Sequence, residues 1–154
     1  MYSHFKTIFY IPGILIAYSL FIIQGCKFGD CGECFSPPFD FTFEILDHVT
    51  GENLFSNGRY NPDSISVQNM DDNSLIPFDF VSESDLLVIN SIGWKTETVN
   101  YIFIVGSDSL FSLHVEAERA SEDCCTFTRY HEIIIENSSF EFVAHSGIYN
   151  ILVD

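Results

Sequence analysis

Basic side chains are scarce in this chain: six Lys and Arg stand against 22 Asp and Glu, for a formal charge of −16. A surface of that sign repels nucleic acid and anionic lipid alike, which excludes a nucleic-acid partner. Helix signals are scarce as well, because past residue 26 no stretch of ten residues carries a 3.6-residue apolar period. Catalytic patterns are missing. There is no G-x-S-x-G elbow, no H-x-x-x-H pair and no D-x-[DN]-x-[DN]-G calcium loop. Ser107 and Ser109 flank Asp108, and Ser82 and Ser84 sit among Glu83 and Asp85, but neither run forms a nucleophile motif. His48, His114, His131 and His145 show no ligand spacing to one another and read as strand-face or turn residues. The chain is therefore expected to be non-enzymatic, with no cofactor and no metal.

Long apolar runs are confined to one place. Residues 1–6 carry His4 and Lys6 and no acid, and residues 7–23 carry no charge at all. Ile23-Gln24-Gly25-Cys26 follows, and the chain then turns polar. This is a secretory signal with a basic n-region, an apolar h-region and a small-residue cleavage site. The box of an aliphatic residue, a small residue and then Cys is that of a bacterial lipoprotein signal, with Cys26 as the lipidated residue. Gln24 is larger than the usual occupant of its place. A membrane-spanning helix is the rival, but seventeen residues are short for one, and Pro12-Gly13 weakens it. Each buried acyl CH₂ contributes about 0.8 kcal/mol and one chain holds only reversibly, so the two or three chains of a lipoprotein make attachment effectively permanent. The expected organisation is a signal helix over 1–25, a tether over 26–38 and one domain over 39–154.

With Cys26 acylated, Cys31, Cys34, Cys124 and Cys125 remain. An even number outside the cytosol favours disulfides. Cys31-Gly-Glu-Cys34 leads into Pro37-Pro38, which forbids the helix a thioredoxin-like site needs. Cys124 and Cys125 are neighbours and point to opposite faces of a strand. The economical scheme joins the early pair to the late pair, in either connectivity. A bridge closing about 90 residues is worth roughly 4 kcal/mol in the chain-entropy account. Free thiols and a four-thiolate zinc site are the rivals.

Aromatics are abundant, with 16 Phe and seven Tyr, and they alternate with polar residues. Phe39, Phe41, Phe43 and Ile45 share one face, as do Phe111, Leu113, Val115 and Ala117, and period two means half-buried strands. Further strands are expected at 64–70, 75–81 (with Pro77 marking an edge), 86–90, 98–105, 126–136, 140–143 and 148–153. The last three are expected to form a meander, and residues 119–125 to connect. Eight or nine short strands predict an all-β domain: an antiparallel β-sandwich, immunoglobulin-like in general shape, or failing that a lipocalin-like up-and-down barrel. A barrel would make the protein a small-ligand carrier. Asp71, Asp72 and Asn73 with Asp79, Glu83 and Asp85 could gather oxygens for calcium. Trp94, the sole Trp, lies in a Ser-Ile-Gly-Trp-Lys-Thr loop; a Trp so placed is expected first to close one end of the core, and exposed contact, which would make it the ligand-contact candidate, is the alternative.

Cys26 with its tether, the Cys-Phe-Ser-Pro-Pro run at 34–38, Thr-Gly-Glu-Asn-Leu-Phe at 50–55 and Gly-Ile-Tyr-Asn-Ile-Leu-Val at 147–153 together resemble uncharacterised small surface lipoproteins of the Bacteroidota. The resemblance implies a lipid anchor in the membrane through Cys26, at the outer membrane or cell surface rather than the inner membrane. It implies an unknown protein or glycan partner and carries no activity to any residue.

Overall fold

Phe41, Phe43 and Ile45 alternate with half-buried Thr42, Glu44 and Leu46, and the backbone there is strand β1, Phe41–Asp47. The structure is a computed structural model, described for residues 34–122 and 125–154. The expected signal helix, Cys26 as the expected lipidation site, most of the expected tether, Cys31 and Cys124 lie outside the described residues. β2 (Ile65–Asn69), β3 (Asp79–Val81), β4 (Leu86–Ile89), β5 (Glu97–Val105), β6 (Asp108–Glu122), β7 (Cys125–Glu136), β8 (Ser139–Val143) and β9 (Ile148–Val153) follow. Among the described residues the one helical element is a single 3-10 turn, Pro62–Ser64, and no helix is long and apolar enough to cross a membrane.

The strands form two sheets, ordered β3-β4-β1-β9-β8 and β2-β5-β6-β7. They stack as a β-sandwich, and the barrel alternative is overturned: the sheet does not close, and the space between its layers is filled. Phe43 from one sheet packs on Phe103 and Phe111 of the other, at 5.1 and 5.0 Å between ring centroids. Phe103 and Phe111 are register partners on β5 and β6 and stack at 4.1 Å. Tyr149 and Ile151 of β9 complete the interior beside Phe41. Aromatic burial of this kind, with offset or edge contacts, is the main attractive term between the layers.

Four expectations change. β1 and β9 run parallel, so the five-stranded sheet is mixed; alternation reports which face a residue occupies and says nothing of strand direction. The expected meander is split. β7 pairs with β6, β8 pairs with β9, and Asn137-Ser138 carry the chain from one sheet to the other, with Asn137 at φ +69°. The segment expected as one strand over 75–81 is divided the same way. Leu75 bridges to Gln68 of β2, β3 begins only at Asp79, and Pro77, which has no N–H to give a ladder, lies between. Finally, the expected connector over 119–125 is largely strand. A register shift between Glu116 and Ala117 leaves His131 of β7 as the extra residue of a bulge. Beyond a bulge the faces exchange parity, so simple alternation fails where pairing continues.

Candidate functional site

Side chains remain available at the ends of the sandwich and on the outer faces of its sheets. At one end Cys34 is joined to Cys125 by a disulfide, with Cα atoms 4.6 Å apart and a sequence separation of 91. This pairs one early with one late cysteine and removes two of the four thiolates a zinc site would need. Phe35 bridges to Thr126 at the start of β7, and backbone bonds Ser36 N–H to Thr126 O and Thr126 N–H to Cys34 O extend the pairing. The compact unit thus begins at Cys34, inside the stretch read as tether.

Trp94 projects from the β4–β5 loop and is 53% exposed, so it does not close the core. Its indole N–H donates to Asn90 O at 2.8 Å, and its ring stacks on Phe35, itself 59% exposed, at 6.2 Å and 28°. The loop is held from below. Gly93 has φ +91°, and a Cβ there would lie 2.8 Å from both Thr128 Cγ2 and Tyr130 Oη, so only glycine fits. Gly93 N–H donates to the Glu97 carboxylate at 2.9 Å, and its carbonyl accepts from the Thr128 hydroxyl at 2.7 Å. Arg119 ties the parts together. Its guanidinium donates to Ser36 O at 2.9 Å and to Thr128 Oγ1 at 2.7 Å, and lies 5.0 Å from the centre of the Phe35 ring. Burial raises the Tyr130 phenol above its ordinary value, partly offset by its hydrogen bond with Phe39 backbone and by the Arg119 charge. The result is a ledge of two exposed aromatic rings, tied down by hydrogen bonds and a disulfide with a cation beside it, suited to stacking on a flat or ring-shaped apolar surface.

The second polar constellation lies on the outer face of the four-stranded sheet. His114 of β6 stands opposite Asn100 of β5, and Glu116 of β6 opposite Glu132 of β7. One ligand atom from each of His114, Glu116 and Glu132 lies within 4.8 Å of the others. His114 Nε2 is 4.0 Å from Glu116 Oε1 and 3.7 Å from Glu132 Oε2. Histidine-to-histidine spacing does not reveal this group, because it holds only one histidine. The usable signal was His-x-Glu on a strand, which puts both side chains on one face, but Glu132 joins them only through register. A cleft of about 310 Å³ adjoins, lined by Met70, Asp71, Asn100, Ser112, His114 and Glu136 among others.

The remaining candidates are dispersed. Asp71 faces Asn100, Asp79 accepts from Asn90, and Asp85 accepts from Ser56, so the acids of 71–85 do not converge as a calcium site would require. His131 lies 3.0 Å from Glu118, which Arg129 also bridges, and His48 pairs with Asp154 at 3.0 Å. The hydrogen bond with His131 is the largest influence holding the Glu118 carboxyl below the ordinary glutamate value. Comparison with known proteins finds no matching family model, curated protein or solved structure.

Proposed function

We propose that the protein is a lipid-anchored envelope protein whose β-sandwich binds or scaffolds a partner without catalysis, with the Phe35–Trp94 ledge as its contact surface. The observation that carries the binding reading is that two large aromatic rings are more than half exposed and yet fixed by a disulfide, an arginine and a glycine that admits no side chain. Solvent alone gives no reason to hold exposed rings rigid; preorganisation lowers the ordering cost of binding. The anchor rests on the Ile23–Cys26 box and on the apolar run before it. The likeness to Bacteroidota surface lipoproteins favours the outer membrane or cell surface, and a glycan or an envelope protein as the partner.

Two measurements test this. Metabolic labelling with an alkyne palmitate is expected to mark the wild type and not Cys26→Ala; equal labelling of both, or of neither, removes the anchor. Trp94 is the only tryptophan, so its emission reports the ledge directly. Glycans retained on an array are expected to shift that emission and to lose retention with Phe35→Ala. Retention unaffected by Phe35→Ala and Trp94→Ala would place the contact elsewhere.

A further inference from the structure

We propose that His114 Nε2, Glu116 and Glu132 form a binding site for a first-row divalent cation of the Zn²⁺ type. The argument starts from the side of the imidazole that faces away from the carboxylates. His114 Nδ1 is 2.7 Å from Asn100 Oδ1. The Asn100 amide is oriented by its other end, because Nδ2 points at both carboxylate oxygens of Asp71, at 3.5 and 3.4 Å. Turning the amide over would set Oδ1 against that carboxylate. Nδ1 therefore carries a proton and donates it to Asn100, so that in the neutral imidazole it is Nε2 whose lone pair is turned toward Glu116 and Glu132. Metal-binding histidines are oriented in the same way, by an acceptor on the second ring nitrogen.

Nε2 and the two carboxylates are then three electron-pair donors around one space. The separations of 3.7 and 4.0 Å are too long for hydrogen bonds. Bonds of about 2.0–2.2 Å to a tetrahedral ion place its ligand atoms roughly 3.3–3.6 Å apart; the three ligand atoms here lie within 4.8 Å of one another, so the exposed glutamates need to close by about 1.5 Å at most. Glu116 and Glu132 stand directly opposite each other across the ladder, an arrangement that disfavours two like charges. Among the described residues neither has a Lys or Arg within 4.0 Å; His114 is the one basic group at their side. The adjoining cleft adds Asp71 and Glu136 and no Lys or Arg. A cation bound between the three side chains relieves that repulsion. One imidazole and two carboxylates suit a borderline ion better than Ca²⁺ or Mg²⁺, which prefer all-oxygen shells. Open positions toward the cleft would be filled by water or by a donor from a partner.

Calorimetric titration of the purified, disulfide-intact protein with Zn²⁺ is expected to show one saturable site that Ca²⁺ does not fill. His114→Gln and the double substitution Glu116→Gln/Glu132→Gln should each weaken it at least tenfold. His145→Ala should leave it unchanged. Asn100→Leu touches no metal, and as a positioning residue it should weaken binding 10- to 100-fold. Histidine ¹⁵N spectra supply a second readout: on adding Zn²⁺ one Nε2 resonance moves to its metal-bound position while its Nδ1 stays protonated. Absence of a saturable site overturns the proposal. So does binding that survives the His114 and double Glu substitutions in variants that melt cooperatively.

Discussion

The aromatic ledge and the His114 row are both built on β5–β7, but they are held in place by different means. On the row, strand register brings the side chains together: Asn100 opposite His114, Glu116 opposite Glu132. On the ledge, Phe35 and Trp94 come from an arm and a loop, and neither has a long ladder behind it. Their positions depend on a covalent bridge, one arginine nitrogen shared between two acceptors and a glycine at φ +91°. A regular sheet supplies geometry from its own backbone bonds. Irregular segments must take theirs from side chains, because their backbone groups still need partners.

That contrast is open to attack at several points. The largest effect is expected from Cys34→Ser with Cys125→Ser. Loss of a cross-link over 91 residues costs roughly 4 kcal/mol in the chain-entropy account. Thermal denaturation should show the loss, and the Phe35 arm should become open to limited proteolysis. A melting temperature within a degree of the wild type would mean that the bridge does not secure the arm. Gly93→Ala comes next. A Cβ at 2.8 Å from Thr128 and Tyr130, on a residue at φ +91°, should cost about 1–3 kcal/mol. It should also change the Trp94 emission, since the loop must shift. An unchanged spectrum and midpoint would show that the loop has slack.

The smallest effect belongs to the ladder. Glu118 is held below its ordinary pKa chiefly by the His131 hydrogen bond, with help from the Arg129 charge and against a smaller pull from burial. A depressed folded pKa means that the group stabilises the fold above the ordinary glutamate value. That contribution disappears as the pH falls through the lowered value. Urea midpoints of wild type and Glu118→Gln should differ slightly at neutral pH and converge in acid. Curves that run parallel throughout would remove this pair from the account.

Much of the fold was legible in the residues. Phe41-x-Phe43-x-Ile45 and Phe111-x-Leu113-x-Val115-x-Ala117 declare their buried faces, and all seven side chains are buried. Alternation failed in three places, each for a definite reason. At His131 a bulge reverses parity. At Pro77 one apolar segment is divided between two sheets. At Asn137-Ser138 a two-residue link that looks like a hairpin turn crosses between layers. The candidate sites were less legible. Trp94 was visible as a lone aromatic in a loop, but its partner Phe35 lies 59 positions away in the chain and reaches it through a disulfide that sequence left open. His114 was visible and its ligand-like setting was not, since Asn100 and Glu132 come from the strands on either side.

The order of residues by itself determined that this is an all-β domain with an acidic surface, a phenylalanine-rich core, one cysteine pair ahead of its strands and another among them, because period, composition and charge are local properties of a chain. Tertiary structure alone decided which strands share a sheet, that β1 and β9 run parallel, that Cys34 meets Cys125, and that one imidazole faces two carboxylates. Those outcomes depend on register and layer, and both are set by contacts between residues far apart in the chain.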